Sequence, residues 1–159
     1  MARNYAKILV TIWSNEDFKA LPRDLQHMYF VLLSQARLST CGLLDFFPTR
    51  LATCCDEMTI DDVATDLKSL ESHRYIVVDY DTQELLIRSF MRNDGVLHSP
   101  NLTVAAVREY GEVMSEKVRK AIETELSRAY REAPSLPSWK KVREENHLLA
   151  ETVLGKGSE

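Results

Sequence analysis

The spacing of hydrophobic and polar positions changes several times along this chain, and each change predicts a new element. Near the N-terminus, apolar residues recur at every second position, which predicts a strand that ends near Trp13. The alternating apolar residues are Ala6, Ile8, Val10 and Ile12. Ser14 has the spacing of a helix N-cap with Asp17 three positions later, and it predicts a short helix through Leu21.

Two longer stretches follow the helical period. The first helix is predicted to begin at Pro22 and to run to Ser34, with one apolar face made of Leu25, Met28, Tyr29, Leu32 and Leu33. The second is predicted to begin at Thr59, which lies three positions before Asp62 at the spacing of a capping box. Its predicted core face contains Ile60, Val63, Ala64, Leu67 and Leu70.

Shorter elements are predicted around these helices. Gly42 ends a loop, residues 43–47 suit one short strand, and Pro48 opens a brief helix that turns Leu51, Ala52 and Cys55 inward. Residues 75–78 and 84–90 are rich in strand-forming side chains and are separated by five polar residues. That pattern predicts a β-hairpin.

The C-terminal third is predicted to be helical. Residues 91–101 are expected to form a linker, followed by one helix from Leu102 to Val113 and a second that Ser115 caps. Pro134 and Pro137 break the chain before a last amphipathic helix over residues 138–154 and a flexible tail. We therefore expect three units: residues 1–98, residues 99–133 and residues 134–159.

The order of these elements is typical of a winged helix-turn-helix. The predicted fold class is α+β, mainly α, in which a winged helix-turn-helix is followed by a C-terminal helical extension. Such a scaffold usually places its third helix, here residues 59–73, in the major groove of DNA and rests its hairpin on the backbone.

Composition limits the class of protein. The chain has 159 residues, no run of 18 apolar residues, and no apolar signal segment with a small-residue cleavage site. Its cysteines are odd in number, which disfavours a secreted disulfide framework. We expect a cytoplasmic protein with reduced thiols and no membrane partner.

The charge pattern leaves two interpretations of the third helix open. The chain has a net charge of -4, and residues 56–84 hold nine acidic residues against Lys68 and Arg74, a local net charge of -7. Carboxylates repel DNA phosphates. The alternative is therefore an acidic protein-binding module that imitates the charge of DNA. Its partner would be a basic host or phage protein of replication or transcription. Its predicted protein-binding residues are Asp61, Asp62, Asp66 and Tyr80.

A discontinuous basic surface is the other route to double-stranded DNA. Arginines and helix N-termini hold phosphates without reading sequence. The predicted DNA-binding residues are Thr49, Arg50, Lys68, Arg74, Arg88 and Arg92. For the last three arginines, the competing interpretation is that they only balance nearby carboxylates.

Catalysis has little support in the sequence. The four histidines form no metal-binding motif, the adjacent Cys54 and Cys55 do not suit one closed tetrahedral site, and no glycine-rich phosphate loop occurs. We expect no enzymatic activity, no metal and no cofactor. The C-terminal helices are expected to dock either on the winged helix or on a second subunit of a homodimer.

The strings IWSNEDF, DTQELLIRSF and RNDGVLHSPN carry a family resemblance that extends from about Tyr5 to Leu126. The chain resembles the helix-turn-helix proteins of actinobacterial phages and prophages. These are similar to the N-terminal winged-helix domain of phage replisome-organiser and replication-initiation proteins. The resemblance implies a winged-helix fold and a phage function in DNA replication or transcription regulation through duplex binding.

Overall fold

The computed structural model describes residues 3–155. In this part of the chain the α-helices are α1 (Glu16–Ala20), α2 (Arg23–Leu33), α3 (Pro48–Ala52), α4 (Ile60–Ser72), α5 (Phe90–Asn93), α6 (Pro100–Glu112), α7 (Glu116–Glu132), α8 (Ser138–Glu145) and α9 (His147–Leu154). The strands are β1 (Leu43–Asp45), β2 (Ile76–Asp79) and β3 (Glu84–Ile87). The protein is thus mainly helical, with one small antiparallel sheet of strand order β1-β3-β2.

Local signals set the two central helices as predicted. The Thr59 hydroxyl accepts the Asp62 N–H at 3.1 Å, and the Asp62 carboxylate accepts the Thr59 N–H at 2.8 Å, so the capping box at the start of α4 is complete. The predicted core face of α4 was too wide, however. Ile60 and Ala64 are exposed, because the buried contacts of α4 follow the narrower stripe of Val63, Leu67 and Leu70.

The strand predicted near the N-terminus is absent. Residues 5–9 form neither helix nor strand, and Val10–Ser14 is a 3-10 helix. A strand needs a partner, and the outward backbone groups of Val78 in β2 and Leu43 in β1 already bond to other residues of the chain. Asn15, not Ser14, caps α1, because its side-chain oxygen accepts the Phe18 N–H at 2.9 Å.

The predicted linker after the hairpin is also wrong. It is an ordered connection made of α5 and a 3-10 turn at Val96–His98, because four apolar side chains of this stretch are buried. They are Phe90, Met91, Val96 and Leu97.

The last predicted helix is two helices, since Asn146 ends α8 and its side chain accepts the Leu149 N–H at 3.0 Å to cap α9. Gly155 is the last described residue, and the rest of the predicted tail lies outside the described part.

Gly42 is required where β1 meets the end of β3. Its φ is +86°, and a Cβ at this position would lie 2.6 Å from the Cβ of Phe90 and 3.0 Å from the Ile87 carbonyl oxygen. The Ile87 N–H donates to the Gly42 carbonyl at 2.9 Å. Only glycine combines this backbone conformation with so close an approach.

The sheet is covered on both sides. Every apolar residue of β2 and β3 is buried, although neighbouring residues of a strand point to opposite faces. Helix α4 packs on one side, and α7 packs against β2 and β3 on the other. The C-terminal helices therefore dock on their own chain, and residues of all three predicted units contribute to one buried core.

Candidate nucleic-acid interface

Three of the predicted DNA-binding residues meet in one groove, which we call the arginine groove. Arg74 follows α4, Arg88 follows β3 and Arg92 lies in α5, while Arg128 and Arg131 of α7 complete the set. The groove has a volume of about 850 Å³. Its carboxylates are Asp17 and Glu125, so the groove is basic in a chain whose net charge is -4.

Arg88 and Arg92 are engaged within the fold. Arg88 Nε donates to Glu125 Oε1 at 3.2 Å, and Arg92 lies 3.5 Å from Glu125 Oε2 and 3.5 Å from Glu132 Oε2. The Glu125 side chain is only 8% exposed. These two arginines compensate a buried carboxylate, which is the competing interpretation that the sequence left open for them.

Arg128 is also paired. Its Nε donates to Glu132 Oε1 at 3.0 Å, and this hydrogen bond is the main reason that the pKa of Glu132 lies below its ordinary value. Both side chains are about half exposed, so we expect this pair to be weak and easily exchanged for another anion.

Arg74 is held in an unusual backbone conformation. It lies one residue beyond the C-cap of α4 with φ of 66°, where glycine is the common residue. The Arg74 N–H donates to Glu71 and the Tyr75 N–H donates to Leu70, which completes a Schellman motif. Among the ion pairs of residues 3–155, neither Arg74 nor Arg131 takes part, and both side chains are exposed.

The other three predicted DNA-binding residues lie elsewhere. Thr49 and Arg50 are exposed in the five-residue helix α3, and Lys68 is exposed on α4, against which α3 packs. None of the three lines the arginine groove. The predicted contact set is therefore divided between two surfaces.

The predicted protein-binding carboxylates belong to a different surface. Asp62 and Asp66 line a small cleft between α2 and α4 together with Asp24 and Glu57, while Asp61 is exposed on the first turn of α4. Burial raises the pKa of Asp66, and the nearby charges of Asp24 and Asp62 raise it further.

Tyr80 stands apart from these carboxylates, in the hairpin turn. It is half exposed, and its ring meets Phe46 edge-on with centroids 5.7 Å apart.

The tip of the hairpin is fixed to the start of α7. The Glu84 carboxylate accepts the N–H groups of Met114 and Ser115 at 3.0 and 2.7 Å. The Lys117 ammonium donates to the Val78 carbonyl at 2.8 Å and lies 3.0 Å from Glu71. These contacts join residues about 30 to 46 positions apart, and nothing in the local sequence pattern predicted them.

Arg128 and Arg131 were missed by the sequence analysis. With Thr124 they recur at four and three positions along α7, which places them on one side of that helix. That spacing was the available signal, but it did not reveal which element the side would face.

Other chemistry is limited in the part of the chain described. Within residues 3–155, no three metal-binding side chains come close enough together to hold an ion. No helix among these residues combines the length and apolar character that crossing a bilayer requires. No family model, curated protein or solved structure matches the chain.

Proposed function

We propose that this protein is a non-enzymatic DNA-binding protein with a winged helix, and that the arginine groove holds duplex phosphates. The observation that carries the proposal is the convergence of five arginines on one groove beside the hairpin. Arginine presents a planar fork of donors that suits phosphate oxygens. Arg74 and Arg131 are the leading contact residues, since neither is engaged by a carboxylate among the described residues.

The winged-helix assignment is supported by element order and strand pairing. Helix α2, strand β1, helices α3 and α4 and then a hairpin follow one another, and β3 lies between β1 and β2. This is the arrangement expected of a helix-turn-helix closed by a wing. With the resemblance described above, it favours a phage or prophage protein of replication initiation or transcription regulation, acting in the cytoplasm of a bacterial host.

The exposed face of α4 is a weaker candidate for contact with DNA. Asp61 and Asp62 lie on its first turn, Asp66 follows one turn later, and Lys68 is the one basic residue of the helix. Asp79 in the wing adds a further carboxylate. Bringing these groups against phosphates costs electrostatic free energy, whereas the groove offers a net positive lining.

Binding of a fluorescent duplex, followed by anisotropy at about 50 mM and about 200 mM salt, tests the proposal. We expect Arg74→Ala/Arg131→Ala to weaken binding and to flatten the salt dependence by about 0.9 per lost phosphate contact. The matched control is Arg50→Ala/Lys68→Ala, which removes two exposed positive charges from the other surface. If affinity and salt dependence are unchanged in the groove variant and the control loses affinity, the duplex phosphates are bound by α3 and α4 instead of the groove.

A second candidate function is supported by the acidic cleft. Asp24, Glu57, Asp62 and Asp66 share one cleft with His27, and Asp61 is exposed on the first turn of α4. A basic protein would fit such an acidic surface. A pull-down with the Asp61→Asn/Asp62→Asn/Asp66→Asn variant separates the two candidates. Loss of a captured protein partner supports the acidic module, whereas a gain in duplex affinity supports DNA binding.

A further inference from the structure

The N-terminal segment, residues 4–13, exposes several large apolar side chains to solvent. Tyr5 is 75% exposed and Val10 is 83% exposed, and Ile8, Leu9 and Trp13 are each about half exposed. Ala6 and Ile12 pack against the core. Contiguous exposed apolar groups of this kind mark interaction sites in soluble proteins.

The backbone of this segment is also unpartnered. The N–H and C=O groups of residues 4–8 make no hydrogen bond within the described part of the chain. Leu9 has an extended conformation, with φ of -68° and ψ of 126°. Residues 4–8 therefore combine a strand-like sequence pattern with backbone donors and acceptors that make no hydrogen bond within the described part of the chain.

Two anchors hold the segment in place. The Arg3 N–H donates to the Ala36 carbonyl at 3.0 Å, and the Arg3 guanidinium lies 3.6 Å from Asp94 and over the ring of Phe90. The Lys7 ammonium donates to the Asp94 carbonyl at 3.2 Å. Because the segment is already tied to the body of the protein, pairing costs less conformational entropy than ordering a free terminus would.

The outer strands of the sheet differ from this segment, because one residue of each has both its N–H and its C=O bonded to other parts of the chain. Glu71 accepts the Val78 N–H at 2.6 Å and Lys117 donates to the Val78 carbonyl, which satisfies both backbone groups of Val78 at the outer edge of β2. At β1, the Ser39 N–H donates to the Leu43 carbonyl and the Ser39 hydroxyl accepts the Leu43 N–H. Hydrogen bonds of this kind hinder pairing between molecules, and the backbone of residues 4–8 lacks them.

We propose that residues 4–8 of two copies of this chain pair as antiparallel strands, which makes the protein a weak homodimer. Lys7 is the one charged residue between Asn4 and Ile12, and its ammonium is turned onto its own chain. With Ala6 opposite Ala6 of the second copy at the two-fold axis, Lys7 lies opposite Tyr5, so no like charges meet. The segment offers no charge pattern for an acidic or basic partner, whereas a second copy satisfies both its backbone and its apolar side chains.

Sedimentation equilibrium between about 5 µM and about 500 µM tests the proposal, since small interfaces are typical of weak complexes. The test variant is Tyr5→Lys/Val10→Lys, which changes two side chains that the monomer leaves exposed. The matched control is Met114→Lys/Leu148→Lys, because those side chains are 79% and 77% exposed and lie far from the segment in sequence. Thermal unfolding of each variant at low concentration verifies that its fold is retained.

We expect the wild type and the control to form dimers as concentration rises and the test variant to remain monomeric. Hydrogen exchange at the amides of residues 4–8 is expected to slow at high concentration in the wild type and the control but not in the test variant. A wild type that is monomeric throughout, or a dimer that survives in the test variant, would overturn the proposal. Neither result depends on whether the arginine groove binds DNA.

Discussion

The Ser115 hydroxyl donates a hydrogen bond of 2.6 Å to the Asp79 carboxylate and thereby joins the start of α7 to the end of β2. The same oxygen accepts the Val118 N–H at 3.1 Å and so caps α7. The hydrogen bond from Ser115 is the main cause of the lowered pKa of Asp79. The Ser115 hydroxyl oxygen thus caps α7, joins α7 to the wing and lowers the pKa of Asp79.

We expect Ser115→Ala to lower the free energy of unfolding by about 1 kcal/mol through the lost cap alone. A carboxylate with a lowered pKa stabilises the fold above its ordinary pKa, and that contribution is lost as pH falls through the folded value. The difference between wild type and variant should therefore shrink at acid pH. Ser99→Ala is the control, since Ser99 caps α6 and its hydroxyl contacts no carboxylate among the described residues; equal pH profiles for both variants would contradict the coupling.

The left-handed conformation of Arg74 predicts opposite effects on stability and binding. Arg74→Gly removes a side chain that disfavours φ of 66°, so the free energy of unfolding should rise by up to about 1 kcal/mol. Duplex affinity should fall, because a groove arginine is lost. Urea unfolding and anisotropy measure the two quantities, and Gln83→Gly, at φ of 58°, is the control that should gain stability without losing affinity.

The Arg88–Glu125 pair predicts a non-additive double-mutant cycle. Arg88→Met leaves a mostly buried carboxylate with one fewer partner, so the free energy of unfolding should fall by about 2 kcal/mol. Arg88→Met/Glu125→Leu should recover much of this loss, because no buried charge is then left uncompensated. Chemical denaturation of the two single variants and the double variant measures the coupling, and strictly additive losses would contradict a compensating role for Arg88.

The raised pKa of Asp66 predicts a variant that is more stable at neutral pH. The charged form is disfavoured by burial and by Asp24 and Asp62, so Asp66→Asn should raise the free energy of unfolding by under about 1 kcal/mol near pH 7. The gain should vanish below the ordinary carboxyl pKa of about 4, where the folded and unfolded states both carry the proton.

Asp61→Asn is the comparison for this effect, because Asp61 lies in the first turn of α4, where a negative charge is favourable. It should bring no gain in stability. A gain from Asp66→Asn that persisted at acid pH would exclude an electrostatic origin.

Thiol reactivity should separate the three cysteines. Cys41 is buried, and burial followed by the nearby charge of Glu109 raises the pKa of its thiol well above the ordinary range. Cys54 is exposed and Cys55 is partly exposed. Mass spectrometry after brief alkylation should find Cys54 modified, Cys55 modified more slowly and Cys41 modified only on unfolding; early modification of Cys41 would contradict its burial.

Short-range sequence patterns predicted the central helices, whereas features that depend on contacts between distant residues were not predicted. Thr59 and Asp62 predicted the start of α4 because a capping box is complete within four residues. The alternation at residues 5–12 predicted a strand that this chain does not form, since pairing depends on a neighbour that periodicity does not reveal.

The arginine groove was predicted in part for the same reason. Arg74, Arg88 and Arg92 stand close together in the sequence around the hairpin. Arg128 and Arg131 join them only because α7 packs against β2 and β3, and Glu125 of α7 reaches both Arg88 and Arg92. Local sequence spacing does not reveal a contact between residues 37 positions apart, such as Arg88 with Glu125.

The double covering of the sheet has a consequence for fragments of this protein. A fragment that ended before α6 would remove α7 from β2 and β3 and expose to water the apolar side chains on that face of the sheet. The departure of Lys117 would also uncover a β2 carbonyl at the margin of that sheet. Such a fragment should aggregate through its exposed strands, so in the intact protein α7 protects the hairpin from pairing with other molecules.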